Sequence, residues 1–303
     1  MDDLPPTEAQ NPSTADLDAL DTLALLHRIN DEDRRAAAAV ERELDSLAAA
    51  VDAIVDRMRR GGALHYFGSG TSGRLGLLDA AELPPTFSVD PRTVVGHIAG
   101  GAAALTRAVE EAEDDADAGR AEVTAAGIGI EDIVVGLSAS GTAAYVVAAL
   151  EEAGRIGALT ICITNSPASP VTHGTTISIA LRTGPEAIAG STRMKAAVAQ
   201  KMALTALSTA VMVKMGKVYG NLMVDVAPTN RKLRGRALRL TQQITGAPED
   251  DARDALIRSG YRVKVAALVV AHGCDVDAAE SMLSAVGGSL RAALGDKNRE
   301  ARR

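Results

Sequence analysis

Gly68-Ser69-Gly70-Thr71-Ser72-Gly73 follows directly on the run Ala63-Leu64-His65-Tyr66-Phe67, and Ser138-Ala139-Ser140-Gly141-Thr142 follows in the same way on Ile133-Val134-Val135-Gly136-Leu137. In each case a short apolar strand runs into a loop of Gly, Ser and Thr. Further apolar runs at 159–163 and 177–181, a candidate strand at Val94-Val95, and helical stretches at 102–118 and 143–153 complete a strand–helix alternation. Continuous apolar strands in that alternation predict the α/β class, a parallel sheet covered on both faces. Ligands in such folds sit beyond the carboxyl ends of the strands, where both loops lie.

Working outward, residues 1–12 are polar and Pro-containing and read as an extended arm. Ser13 and Thr14 are candidate caps for a short helix carrying Leu17, Leu20, Leu23 and Leu26. A second helix is expected over 31–60, ended by Gly61-Gly62. Its apolar positions Val40, Leu44, Leu47, Val51, Ile54 and Met58 alternate spacings of four and three, a stripe that needs either the chain's own core or a second subunit to cover it. Downstream, a long Ala- and Met-rich helix is expected over 191–217. Beyond it the chain is helical and more charged, and its glycines suit a bundle of three or so short helices. The predicted organisation is an N-terminal arm with helices (1–60), a sheet domain (61–225) and a small C-terminal helical subdomain (226–303).

The composition excludes several classes of function. A formal charge of −7 gives no general attraction to nucleic acid or to an anionic membrane, and two Phe, four Tyr and no Trp leave little for base stacking or an aromatic sugar groove. The N-terminal residues carry no signal segment, and no uninterrupted apolar run approaches membrane-spanning length, so the expectation is a cytoplasmic protein with no membrane partner. Cys162 and Cys274 lie far apart, and Cys162 sits in an apolar run as a buried free thiol. The five histidines show no metal-ligand spacing, so no metal is expected.

An acidic chain that binds an anion must do so with local dipoles. Glycines let the backbone approach, a helix N-terminus presents free N–H groups, and Ser and Thr hydroxyls add donors. Ser69, Thr71 and Ser72 in the first loop and Ser138, Ser140 and Thr142 in the second are therefore the candidate phosphate-binding residues. The first loop also fits Gly-x-Gly-x-x-Gly, but Asp90 precedes the second strand where a dinucleotide site would have its acidic residue end it. No Gly-Lys-Ser/Thr follows, which excludes a P-loop. Two such loops favour a small sugar phosphate as ligand, with no cofactor.

From Gly68 through Arg74-Leu75-Gly76 and Leu78-Asp79-Ala80-Ala81-Glu82-Leu83-Pro84-Pro85-Thr86-Phe87, the sequence resembles the N-acetylmuramic acid 6-phosphate etherases of the sugar isomerase (SIS) domain superfamily. Thr7-Glu8-Ala9-Gln10-Asn11-Pro12, Ile29-Asn30-Asp31-Glu32-Asp33, Ile98-Ala99-Gly100-Gly101, Gly190-Ser191-Thr192-Arg193-Met194-Lys195 and the stretch 216–233 are similar to family segments as well. The resemblance implies a five-stranded SIS sheet, a homodimer, and cleavage of a lactyl ether to N-acetylglucosamine 6-phosphate and D-lactate. It implies two catalytic glutamates at Glu82 and Glu113. The second loop departs from the family pattern Ser-Ala-Ser-Gly-Arg-Thr-Pro: Thr142-Ala143-Ala144 stand in its last three places, a donor is missing at Ala143, and Thr142 is the candidate replacement.

The implied chemistry needs one ionised carboxylate and one neutral carboxylic acid. Glu82 is placed at the end of a helix that starts beyond Gly73 and is stopped by Leu83-Pro84-Pro85. A helix C-terminus and apolar neighbours disfavour a negative charge, so Glu82 is assigned as acid and Glu113 as base. Arg74 and Lys195 are open between a ligand role and a salt-bridge role. A non-catalytic sugar-phosphate sensor resembling the glucokinase regulatory protein, and a SIS-type isomerase, are the competing functions.

Overall fold

The structure, a computed structural model, describes residues 5–226, 228 and 230–295, Glu110 by its backbone alone. The ends of the arm and of the C-terminal stretch (1–4 and 296–303), and positions 227 and 229 of the family-like stretch, lie outside the described residues. The chain divides into two compact units, Met1–Ala81 with Pro91–Ser208, and Glu82–Asp90 with Thr209–Arg303.

The first unit opens with a 3-10 turn at Pro12–Thr14, capped by the Asn11 side chain, and helix α1 (Thr22–Glu41), capped by the Asp21 carboxylate on the Ala24 N–H at 2.8 Å. Helix α2 (Leu44–Arg59) follows after a break at Arg42-Glu43, so the helix expected over 31–60 is two helices. Of the stripe, Val40, Leu47, Val51, Ile54 and Met58 are buried while Leu44 is exposed. The chain's own core absorbs this face, because α2 packs along β4 (Leu159–Thr164) and β5 (Ile177–Ala180).

The other strands are β1 (Leu64–Gly68), β2 (Val94–Ile98) and β3 (Ile133–Ser138), and all five form one parallel sheet in the order β2-β1-β3-β4-β5. Every residue of β1, β3 and β4 is buried, as near-continuous apolar runs in a two-faced parallel sheet require. Phe67, Val134 and Cys162 point to one face, where they meet Val123 of α4 (Ala116–Ala125) and Tyr145, Val146 and Ala149 of α5 (Ala144–Ile156). Tyr66 points to the other, its hydroxyl donating to Asp79 of α3 (Gly70–Phe87) at 3.0 Å. Strand order reverses between β1 and β3, and Gly68 pairs with Leu137, so the two Gly/Ser/Thr loops emerge side by side.

Three local expectations are corrected. Helix α3 begins at Gly70 and runs on through Pro84 and Pro85 to Phe87. The prolines fall in its last turns, where their missing N–H groups leave only the Ala80 and Ala81 carbonyls without helical donors. The helix expected over 102–118 is two 3-10 turns, Gly101–Leu105 and Glu110–Asp114, with α4 starting only after Asp115, whose carboxylate caps the Ala118 N–H at 2.9 Å. Helix α6 (Lys195–Lys214) is long and apolar enough to cross a membrane by length and composition, which the sequence reading did not anticipate; its buried Ala196, Ala199, Ala203, Leu204 and Leu207 make it a core helix.

The second unit holds a small antiparallel hairpin, β6 (Val218–Tyr219) with β7 (Leu222–Met223), that the sequence did not announce. Five helices follow where three or so were expected: α7 (Arg231–Thr245), α8 (Glu249–Arg258), α9 (Val263–His272), α10 (Val276–Ala285) and α11 (Leu290–Leu294). Leu240, Ile244, Leu256, Leu268 and Leu290 form their common core around α9. Asp225 is bonded to Lys264 at 2.6 Å and paired with Lys217 at 3.4 Å.

Candidate active site

The first loop is a turn so tight that only glycine fits its ends. A Cβ on Gly68 would lie 2.6 Å from the Gly73 nitrogen, and one on Gly73 would lie 2.7 Å from the Gly68 oxygen. Because α3 starts at Gly70, the N–H groups of Gly70, Thr71 and Ser72 belong to its first turn and have no intrahelical acceptor. The site end of the helix therefore offers backbone donors and the positive end of the helix dipole.

The three hydroxyls of this loop have separate fates. Ser72 is buried and donates to Gln200 Oε1 at 2.7 Å, and Gln200 Nε2 passes the chain on to Asn165 Oδ1 at 3.1 Å. Asn165 in turn donates to the Leu181 carbonyl at 3.1 Å and the Thr183 hydroxyl at 3.3 Å, so Ser72 ties the loop to the core. Ser69 donates to Glu113 Oε2 at 3.3 Å, which brings one of the two expected glutamates onto the loop. Thr71 is half-buried.

The hydroxyls of the second loop bond within the loop. Ser138 Oγ accepts the Gly141 N–H at 3.0 Å, Ser140 and Thr142 share a hydroxyl–hydroxyl bond at 2.9 Å, and the Thr142 N–H reaches Ser140 Oγ at 3.3 Å. Thr142 is exposed, whereas Ala143 is buried in the apolar cluster with Phe67 and Tyr145. The end of β4 joins this loop, the Asn165 N–H donating to the Ala139 carbonyl at 3.1 Å. Sequence reasoning passed over Thr164-Asn165-Ser166; its signal was a third polar strand end, without the glycines that marked the other two. Ser166 is buried and its hydroxyl has no partner among the described residues.

Glu113 is exposed on the 3-10 turn before α4 in the first unit, and Glu82 is exposed on the part of α3 that belongs to the second. Arg74 is committed to the backbone, donating to the Ala104 carbonyl at 2.9 Å and the Arg107 carbonyl at 3.0 Å, and so fixes the 101–107 segment. Lys195, fully buried, bonds Glu32 through its ammonium group, so of its two open roles the salt bridge is the one observed. Burial opposes ionisation of Glu32, yet its bonds to Lys195 and Asn11 bring its carboxyl below the usual range. Glu186 caps α6, accepting the Lys195 N–H at 3.1 Å and the Ala196 N–H at 2.9 Å; burial outweighs these bonds and pushes its carboxyl up. The arm joins this cluster: the Gly190 N–H donates to the Thr7 carbonyl at 2.9 Å, and Asn11 Nδ2 to the Pro185 carbonyl at 3.3 Å.

Comparison with known proteins identifies the family of the chain. Residues 46–153 match the glucokinase regulatory protein N-terminal SIS domain, 108–210 the SIS domain, and 220–273 the C-terminal lid domain of glucokinase regulatory protein. A phosphoheptose isomerase structure from Francisella tularensis superposes with a TM-score of 0.51 at 17% identity, over 64% of this chain and 100% of that one, a likeness of fold. N-acetylmuramic acid 6-phosphate etherases from Cronobacter sakazakii and Caldanaerobacter subterraneus are 50% and 46% identical to the chain, each over 95% of it and over 97% and 94% of their own lengths. With identity of that order carried across both units, the chain belongs to the N-acetylmuramic acid 6-phosphate etherase family of the SIS-domain superfamily.

Proposed function

We infer that the protein is a carbon–oxygen lyase that cleaves the D-lactyl ether of N-acetylmuramic acid 6-phosphate, giving N-acetylglucosamine 6-phosphate and D-lactate. The observation that carries this reading is the near full-length identity with etherases. Family membership is joined by a local geometry suited to the task, a carboxylate hydrogen-bonded to a helix-N-terminal loop.

The ether at C3 resists simple hydrolysis. Opening of the sugar ring exposes an aldehyde at C1, which acidifies the C2 proton. Glu113 takes that proton, and lactate leaves from C3 as Glu82 protonates its oxygen. Water then adds across the unsaturated aldehyde, its oxygen to C3 and a proton to C2. Ser69 supports the role of Glu113 by orienting its carboxylate at the loop. For Glu82 the support is its place toward the C-terminal end of α3, near the Ala80 and Ala81 carbonyls that the prolines leave without helical donors. The phosphate is assigned to the N–H groups of the first loop with Thr71, and to Ser140 and Thr142 of the second.

The enzyme is read as a cytoplasmic homodimer. With Leu47, Val51, Ile54 and Met58 of α2 buried in the core, the support for a dimer shifts to Leu23 and Leu26 of α1, 67% and 58% exposed and one turn apart. A non-catalytic sugar-phosphate binder is the second reading, motivated by the matches to glucokinase regulatory protein domains. Incubation with N-acetylmuramic acid 6-phosphate separates the two: the enzyme releases D-lactate stoichiometrically with N-acetylglucosamine 6-phosphate, and a binder releases none.

A further inference from the structure

On the sheet face opposite α3, a line of polar groups crosses four elements within the first unit. His65 of β1 and His97 of β2 bond through Nδ1 and Nε2 at 3.1 Å, their rings stacked 5.4 Å apart. His97 Nδ1 lies 3.0 Å from Glu122 Oε1 of α4, and the Tyr145 hydroxyl of α5 donates to Glu122 Oε2 at 2.5 Å. Phe67 lies between His97 and Tyr145, its ring centroid 4.3 Å from the first and 6.1 Å from the second.

The proton inventory has one neutral solution. Burial, then the neighbouring His97, push His65 down to about 4, so it is neutral near pH 7. Burial opposes a charge on Glu122, but the bonds from His97 and Tyr145 outweigh it and hold the carboxyl below its usual range. A carboxylate only accepts, so His97 Nδ1 and the Tyr145 oxygen carry the protons directed at it. His97 Nε2 is then an acceptor, filled by His65 Nδ1–H. Glu122 is thereby gripped on both oxygens.

Glu122 lies nine positions after Glu113, on the helix that follows directly from the Glu110–Asp114 turn. Gly119 of α4 lies so close to α5 that a Cβ there would come within 2.2 Å of the Tyr145 carbonyl oxygen, so Tyr145 meets the helix through both backbone and hydroxyl. The turn itself is packed on the end of β2, with Val109 and Ala112 Cβ atoms at 3.1 and 3.2 Å from a Cβ position on Gly100. Among the described residues Glu113 has only the Ser69 bond of its own, and it is exposed, so its placement depends on the turn and on α4.

We propose that His97 and Tyr145 are positioning residues: by gripping Glu122 they anchor α4, and with it the turn that sets Glu113 against Ser69. The proposal rests on the reading of Glu113 as the base. Glu122 fixes the His97 tautomer, and His65 completes the line by donating to the Nε2 that this tautomer leaves as acceptor.

The test uses the full-length enzyme and four variants. Tyr145→Phe removes one oxygen and keeps the ring, His97→Leu removes the imidazole donor, His97→Asn restores an N–H near the Nδ1 position, and Glu113→Gln reports on the base. Displacement of a base by a fraction of an ångström is expected to lower kcat about tenfold in Tyr145→Phe and His97→Leu. KM should stay within about twofold, since the loops that hold the phosphate are untouched. Deuterium uptake at C2 should fall in step with kcat, amide exchange should quicken in 109–122 and not elsewhere, and His97→Asn should recover most of the loss. Unchanged kcat in both variants with unchanged exchange in 109–122 would overturn the proposal, as would a loss not relieved by His97→Asn. An active Glu113→Gln enzyme would instead remove the base assignment, and the exchange measurement would still decide whether the grip holds the turn.

Discussion

Ser72 in the first loop sits 7% exposed at the head of a hydrogen-bonded chain through Gln200 and Asn165, whereas Ser140 in the second loop bonds no further than Thr142, two residues on. The loops have similar composition and end neighbouring strands, yet hydroxyls of the first are wired outward to the core and to Glu113 while those of the second bond within their own loop. Composition sets what a loop can donate, and connectivity decides to whom. A loop whose hydroxyls are committed to the protein contributes backbone N–H groups and orients a carboxylate. A loop with hydroxyls bonded only to one another can turn them to a ligand at little cost, since the bond given up is exchanged for another.

The largest effects should follow the wiring of the first loop to the chemistry. Glu113→Gln keeps the shape and an acceptor for Ser69 but removes the base, and kcat should fall by about a thousandfold or more. In deuterated water, recovered substrate should show no C2 exchange above background. Glu82→Gln should block lactate release while leaving some C2 exchange in the substrate, because proton removal needs only the base and the open-chain aldehyde. Exchange surviving in Glu113→Gln but lost in Glu82→Gln would interchange the two roles, and with them the meaning of the Ser69 contact. NMR of the C2 position and a lactate assay measure both steps.

The strand–loop junctions after β1 and β3 are legible because their signal is local: five apolar residues and a glycine turn fit in a dozen positions, whereas β2 showed only the pair Val94-Val95. The turn carrying Glu113 is not legible, because an Ala- and Glu-rich stretch has the composition of a helix. Its conformation is set by the Asp115 cap, which starts α4 late. The length of α3 escapes the sequence for the complementary reason: Pro84 and Pro85 stop a helix only if it has further turns to make. Of the site, the Ser and Thr residues of the two loops carry a compositional mark, whereas the side chains of Gln200, Asn165 and Glu122 make contacts across 16 or more positions in sequence, as in the pair 97 and 122. No local pattern records such pairings.

The second test separates wiring from binding. Ser72→Ala deletes the donor to Gln200 Oε1 and leaves that buried oxygen without its bond. Stability should fall by about 1–3 kcal/mol, read as a lower thermal midpoint or denaturant midpoint, with KM changed little. A large rise in KM at unchanged stability would mean that the Ser72 hydroxyl leaves Gln200 for the substrate, and the contrast between the loops would fail at its clearest point.

The smallest effects belong to the second loop and decide whether Thr142 has taken over from the donor missing at Ala143. Ala143 is buried with Phe67 and Tyr145, so its side chain belongs to the core, while Thr142 is exposed and shares a proton with Ser140. Ser140→Ala should weaken substrate binding by about 1–2 kcal/mol, the range for one charge-assisted hydrogen bond, with stability hardly affected. Thr142→Val keeps the shape and removes the hydroxyl. If that hydroxyl binds phosphate directly, its loss should cost about 0.5–1 kcal/mol whether or not Ser140 is present. If it only orients Ser140, the cost should vanish in the Ser140→Ala background, a coupling that a double-mutant cycle on KM measures. The 2.9 Å bond between the two hydroxyls makes coupling the expected result, because each removal frees the other to rotate. Strict additivity would show instead that Thr142 reaches the phosphate independently, a full replacement for the family's donor one residue early in the loop.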